Sequence, residues 1–403
     1  MNNISSDKTT RRHLVIACGG CGEGGSVASV ALHHSRELSR YMQVTLISDS
    51  FPSQSIDGVD FVTVHPLRFY FLRRFGHVPN EYAFVKAVRR SLLALHQKQP
   101  VDVVICHSHA LASLAAYPFR QQHGVPYALI THGDIFDRPP NTYDFRVTLF
   151  YKLVTRPAYR NADLILALSP YMADCAQRGG AAPERIKVVP NGIDPMEVGV
   201  DLSVSRLAGL EEKKTHVLAM LYVGRLAVEK GVEILIRACK RLQEKNVPFT
   251  LNIIGDGPLR ASLKALVMQL DVSEKVKFIG KIPRAELGAY YSSADVFCIP
   301  SLSEMFGIAV LEALIAECPI VASDTGGLQF IVNHEQNGLV TPVGDVEAMA
   351  NALERLYRHP ELLKSLTRNA RPSVTERFSW HTVALHIAEY VMALCNANRD
   401  QTI

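Results

Sequence analysis

The stretch VLAMLYVGRLAVEKGVEILIRACKRLQE, Val217 to Glu244, decides the fold. It opens with a short apolar run, Val217–Tyr222, of the kind that forms a strand buried on both faces. A loop bounded by glycines, GRLAVEKG (Gly224–Gly231), interrupts the run. From Val232 to Glu244 the apolar residues recur at helical period. Strand, glycine loop and helix make one unit of a parallel α/β sheet.

The same rhythm extends in both directions. Downstream come strand Phe249–Ile254, loop GDGP (Gly255–Pro258) and helix Leu259–Leu270. Further strands are expected at Val276–Gly280, Val296–Ile299, Ile320–Ser323 and Gly338–Val340. Upstream, strand His13–Cys18 leads into the glycine-rich turn GGCGEGG (Gly19–Gly25) and a helical pattern from Ser26 to Arg40. This is the opening unit of a Rossmann-like domain. Strands follow at Val44–Ser48, Asp60–Val64, Val101–Cys106, Tyr127–Thr131, Leu164–Leu168 and Ile186–Val189. Helical patterns at Tyr82–His96, His109–His123, Thr142–Arg160 and Pro170–Gln177 lie between most of them. The expectation is two doubly wound domains in tandem, residues 1–195 and 196–380, with Pro195–Lys214 as a polar linker. The last helical pattern, from His381, is expected to be able to pack back on the first domain.

Composition narrows the function classes. A chain of 403 residues holds two domains with sizeable cores. A net charge of +4 does not point to a general nucleic-acid binder. No apolar run approaches the roughly 20 residues that span a bilayer, and the run Leu14–Cys18 is too short for a signal peptide. Eight scattered cysteines, several in strand-like runs, fit buried thiols in a reducing cytosol. Cys18 and Cys21 form a lone CxxC with no second pair for zinc. Between His65 and Arg90, six basic residues face one acid and are interleaved with aromatics, around RFYFLRRFGH (Arg68–His77). That composition suits a peripheral contact with anionic lipid at the inner face of a membrane. It also suits a solvated face with buried aromatics, which the lack of a clean helical period favours.

In parallel sheets, ligands bind at the C-terminal strand edges, and the informative loops lie there. Arg225 and Lys230, between Gly224 and Gly231, suit a diphosphate clamp, whereas surface cations are more commonly just solvated. The stretch SLSEMFGIAVLEALIAECPIVASDTGG (Ser301–Gly327) carries Glu304 and Glu312, eight residues apart. On one helix that spacing would leave them about 80° apart. With Glu304 in a loop and Glu312 in the second helical turn, both can point into one cleft and accept sugar hydroxyls. His132, in THGD after strand Tyr127–Thr131, and Asp134 compete as sugar ligands. No Asp-x-Asp pair is present to hold a nucleotide's divalent ion, which favours a metal-free route.

Together GRLAVEKG, GDGP, SEMFGIAVLE (Ser303–Glu312), PIVASDTGG (Pro319–Gly327) and VVPNGID resemble the retaining GT-B glycosyltransferases of family 4. The resemblance is specific over Val188–Pro342 and weaker over the first domain. It implies a GT-B fold, two Rossmann-like domains facing across a cleft, that moves a hexosyl unit from a nucleotide-sugar to an acceptor hydroxyl. The donor, a UDP- or GDP-sugar, would be held by the second domain, with no other cofactor. By this resemblance Arg225 and Lys230 bind the diphosphate, Glu304 the sugar hydroxyls and Glu312 the ribose. Gly224 and Gly255 lie in donor loops, and Phe306, Gly307 and Ile308 offer backbone N–H groups. The segment Ile279–Ile282 would meet the base, with Ile282 as its last residue. In the first domain Gly24 and Gly25 would approach the phosphate, and His132 the donor sugar. Two departures stand out: Cys318 replaces the usual glycine before Pro319, and the first glycine loop carries Cys21 and Glu23.

Two other readings compete. An NAD(P)-dependent oxidoreductase would use the first glycine loop and Asp49, but leaves Arg225, Lys230 and Glu304 without a task. A non-catalytic sugar-binding module on the same scaffold is opposed by the intact Arg, Lys and Glu set.

Overall fold

The structure, a computed structural model, describes residues 11–19, 26–51, 55–65, 78–107, 113–132, 153, 156–203, 205 and 217–400. The chain divides into two compact units, Met1–Gly192 with Trp380–Ile403, and Ile193–Ser379. Gly24, Gly25, Cys21, Glu23, Asp134, the stretch 68–77 and most of Thr142–Arg160 lie outside the described residues.

The first unit holds seven strands: β1 His13–Ala17, β2 Gln43–Ser48, β3 Val59–Thr63, β4 Val103–His107, β5 Tyr127–Thr131, β6 Leu164–Ala167 and β7 Ile186–Val188. They form one sheet in the order β3-β2-β1-β4-β5-β6-β7, with every pairing parallel. β1, β4 and β5 are buried at every residue. Their unbroken apolar runs are what a sheet covered on both faces demands. The second unit holds β8 Leu218–Val223, β9 Phe249–Ile254, β10 Val276–Gly280, β11 Val296–Ile299, β12 Ile320–Ser323 and β13 Gly338–Thr341. Their order is β10-β9-β8-β11-β12-β13, again all parallel. All thirteen strands fall on the runs expected for them, shifted by two residues at most.

The helices follow from their apolar stripes. In Val232–Glu244 the buried residues are Val232, Leu235, Ile236, Ala238, Cys239 and Leu242, one face of a helix. The helix Val78–Lys98 starts four residues before the expected Tyr82, because Pro79 suits a first turn. The helix Trp380–Asp400 belongs to the first unit and packs along Ser26–Leu38. Arg12, just before β1, donates from Nη2 to Asn396 Oδ1 of the same C-terminal helix at 3.2 Å.

The linker expectation needs correcting. Pro195–Val198 is a 3-10 turn, and Val198 and Val200 are buried. Glu197 pairs with Arg284 at 2.9 Å, and Gly199 sits so close to Ala285 that a Cβ would lie 2.0 Å from its carbonyl oxygen. Residues 195–203, the first part of the expected linker, are a packed turn of the second unit. Among the described residues no helix is long and apolar enough to cross a membrane.

Candidate active site

In a sheet of order 3-2-1-4-5-6 the crevice opens where the strand order reverses, here between β8 and β11. The loops after those strands, 224–231 and 300–307, meet there. Leu302 N–H donates to the Glu229 carbonyl at 2.9 Å. Gly231 has φ +60°, and a Cβ on it would stand 2.0 Å from the Pro300 carbonyl oxygen. Only a residue without a side chain permits that approach. Gly255, with φ +127°, brings the next loop equally close, 1.9 Å from a notional Cβ to the Gly224 carbonyl oxygen. Leu226 N–H reaches the Asp256 carbonyl at 2.9 Å. On the other side Gly327 N–H donates to the Glu304 carbonyl at 2.8 Å.

The loop contacts bring Lys230 Nζ to Glu304 Oε2 at 2.7 Å. Both side chains are largely buried, 24% and 12% exposed. Ser301 Oγ donates to the same carboxylate oxygen at 3.4 Å. Arg225 is more exposed and pairs with Glu229, while its carbonyl accepts from the buried Tyr222 hydroxyl at 3.0 Å. Burial pushes that phenol's pKa up, so it stays an O–H donor. Each expected phosphate-binding cation thus has a carboxylate partner that fixes its position. Beside them lies an open pocket of ≈ 590 Å³, lined by Gly224, Arg225, Gly255, Asp256, Gly257 and Lys281. Lys281 directly follows β10 and Asp256 follows β9 after Gly255; both lie in stretches named above, Ile279–Ile282 and GDGP, which give neither a role of its own.

Phe306 is buried, and Gly307 (φ 102°) precedes the helix Ile308–Ile315, which has no side-chain cap. A helix start leaves N–H groups without partners inside the helix. Ile282 is half-buried on the segment after β10.

The two glutamates are held in different ways. Glu304 is in the loop, but Glu312 is buried in a helix whose residues Val310–Ile315 are all buried. A carboxylate there must find partners. Arg284 Nε donates to it at 2.9 Å and Tyr291 Oη at 3.0 Å. Burial raises the Glu312 pKa, opposed by the Arg284 charge and by both hydrogen bonds. Arg284 is also held by Glu197 at 2.9 Å. Arg284, Tyr291 and Glu197 escaped the sequence reading; the only signal is that a Glu inside VLEALI requires partners.

In the first unit His132 follows β5 directly. Its Nε2 lies 3.1 Å from His107 Nδ1. His107 ends β4 and is fully buried, and its Nε2 lies 3.3 Å from Nδ1 of the buried His34. Burial lowers the His34 pKa to about 3 and takes that of His107 well below its usual range; neighbouring histidines add to both shifts.

Comparison with known proteins decides what this architecture is. Residues 210–373 match the family described as glycosyl transferases group 1, and residues 24–197 match glycosyltransferase family 4. A 2-deoxystreptamine glucosyltransferase of Streptomyces kanamyceticus is 30% identical over 329 residues, 79% of this chain and 84% of the relative. The chain belongs to the family 4 glycosyltransferases. This glycosyltransferase shares its fold with sucrose-phosphate synthase of Thermosynechococcus elongatus: TM-score 0.78, 23% identity, 96% of this chain and 100% of that one. It also resembles Anabaena HepE, solved in complex with UDP-glucose: TM-score 0.71, 19% identity, 94% and 99% covered. Family membership removes the oxidoreductase alternative, and with it the ribose role for Asp49.

Proposed function

We propose that this glycosyltransferase moves a hexosyl unit from a nucleotide-sugar to an acceptor hydroxyl with retention of anomeric configuration. One observation carries the reading: the Lys230–Glu304 pair, 2.7 Å apart where the strand order of the second sheet reverses. A diphosphate there meets Lys230 and Arg225, and the start of the helix Ile308–Ile315 adds backbone N–H groups through Gly307 and Ile308. Glu304, released in part from Lys230, accepts hydroxyls of the donor sugar. Glu312 acts at the ribose through the same network that now holds Arg284. Ile282 and Lys281 border the base, and Gly224 and Gly255 allow close approach of the phosphates. His132 contacts the donor sugar, and Gly24 and Gly25, outside the described residues, take the phosphate role that the resemblance implies. That HepE was solved with UDP-glucose makes a UDP-sugar the first donor to test, with GDP-sugars next.

As the glycosidic bond to the diphosphate lengthens, charge grows on the leaving oxygen. Arg225 and Lys230 stabilise it, supplying what a divalent ion would otherwise provide. The acceptor hydroxyl enters on the same face, and the leaving phosphate oxygen takes its proton. Glu304 is engaged by Lys230, and Glu312 is enclosed by Arg284 and Tyr291. Neither is placed as a covalent nucleophile, which supports the front-face route. We further propose that the basic aromatic stretch 68–77, outside the described residues, contacts anionic lipid on the cytoplasmic side of a membrane; cosedimentation with phosphatidylserine vesicles tests it.

Thermal unfolding with UDP, GDP, ADP and their sugars tests the main reading. A ligand at 100 times its Kd stabilises by about 2.7 kcal/mol. One nucleotide family should raise the melting temperature, and the anomeric proton signal of the product should keep the donor's configuration. Absence of any shift across the series would sink the proposal, and an inverted anomer would sink its retaining part.

A further inference from the structure

Three histidines from distant parts of the chain line up in the first unit. His34 comes from the helix Ser26–Leu38, His107 from the end of β4, and His132 from the residue after β5. The contacts use one nitrogen per ring at each junction: His34 Nδ1 to His107 Nε2 at 3.3 Å, and His107 Nδ1 to His132 Nε2 at 3.1 Å. Trp380 closes the inner end, edge-on to His34 with ring centroids 5.5 Å apart and stacked on His33 at 4.4 Å.

A neutral imidazole has one N–H and one lone pair. Both hydrogen bonds of the row can therefore form only if the protons point the same way along it. Either they point inward, leaving an N–H on His34 Nε2, or outward, leaving a lone pair there. His34 Nε2 is buried and has no hydrogen-bond partner among the described residues. A stranded buried N–H is the rarer and costlier outcome, since a lone pair tolerates apolar surroundings better. The outward arrangement follows: His34 Nδ1–H donates to His107, and His107 Nδ1–H donates to His132 Nε2.

We propose that His34 and His107 are positioning residues that hold His132 with its proton on Nδ1 and its Nε2 lone pair turned to His107. With Nε2 accepting from His107, the His132 ring can donate only through Nδ1–H. The two inner rings stay neutral near pH 7, because burial and neighbouring histidines hold their pKa values far down. In water the imidazole proton prefers Nε2, so the row selects the less favoured tautomer. What that tautomer does in catalysis rests on the reading above, in which His132 contacts the donor sugar; the tautomer itself does not.

The test therefore has an arm without substrate. Nitrogen-15 spectra of the full-length protein, labelled at histidine and with His132 assigned through His132→Gln, should show a protonated Nδ1 and a bare Nε2. A through-bond coupling to His107 Nδ1 should accompany them. A proton on His132 Nε2 would overturn the proposal whether or not any nucleotide-sugar is turned over. In the kinetic arm His107→Phe should lower kcat about 10²-fold with little change in donor KM. His107→Asn, whose amide N–H can stand where Nδ1–H stood, should recover most of the loss. Wild-type kcat in a folded His107→Phe would overturn the positioning role. If His107→Phe does not fold, the wild-type spectrum and His107→Asn still decide.

Discussion

Replacing Lys230 with Ala tests the second unit's site most directly, because the pair it breaks has both a structural and a catalytic consequence. The ions are 2.7 Å apart with side chains 24% and 12% exposed. At an effective dielectric of about 20 their gross attraction is about 6 kcal/mol, most of it offset by the desolvation of both ions. After truncation Glu304 keeps, among the described residues, only the long 3.4 Å bond from Ser301. A half-stranded carboxylate should lower stability by about 1–3 kcal/mol, or roughly 2–4 °C in melting temperature per kcal/mol for a domain of this size. Loss of one donor at the leaving group should remove about 2.7–4 kcal/mol of transition-state stabilisation. The two effects separate in Lys230→Ala/Glu304→Gln. Neutralising the stranded carboxylate should return most of the melting temperature and none of the kcat/KM lost through Lys230. Stability comes from thermal or urea unfolding, and activity from initial rates of sugar transfer. Near-normal kcat/KM in Lys230→Ala would refute the anion-binding role. Stability effects that add within about 0.5 kcal/mol would refute the coupling.

Two further outcomes follow from the same loops. Gly231→Ala should drive loop 224–231 away from Pro300, since its Cβ would meet the carbonyl oxygen at 2.0 Å and its φ is +60°. A loss of at least about 1–3 kcal/mol in urea unfolding is expected, together with weakened nucleotide binding; an unchanged midpoint would show that the two loops are not locked together. Arg284→Met should leave Glu312 buried with only Tyr291 and lower stability by about 2 kcal/mol near pH 8. Burial already raises the Glu312 pKa and Arg284 opposes that rise, so the substitution raises it further. A carboxyl raised in the folded state loses stability as pH climbs through its folded pKa, so the deficit should shrink as pH falls toward 4.5, its ordinary value. An equal deficit near pH 5 and pH 8 would remove Glu312 as the cause.

Some of this architecture was legible in the chain and some was not, for definite physical reasons. Each strand is an apolar run that must be buried on both faces, and such runs identify themselves locally. The helix Val232–Glu244 was placed to the residue, because its apolar stripe begins immediately after Gly231. The stretch 195–203 reads as part of the linker Pro195–Lys214 because it is too short to show a period of its own, and the charged residues at 211–214 set the character of the whole. Whether Val198 is buried depends on what folds against it. The partners of Glu312 stay hidden in the sequence for a related reason. Helical phase says which way a side chain leaves its own axis, not whether Arg284 and Tyr291 wait there.

The contrast between the two units has a chemical origin. In the second unit the site is assembled by backbone: glycines at 231 and 255 let loops touch, and the charged residues beside them follow from adjacency in sequence. Such a site leaves a mark in the chain, because a left-handed turn against a neighbouring carbonyl admits little besides glycine. In the first unit the described part of the site is assembled by side chains that topology brings together. His34 is 73 positions from His107, and His107 is 25 from His132. No local rule requires histidine at any of these places. What requires it is the row itself: the middle ring, His107, must donate through one nitrogen and accept through the other once water is excluded, and an imidazole does both through opposite edges of a flat ring. Replacing one member therefore changes the proton position on the others. For that reason the proton on His132, more than its location, is the quantity to measure.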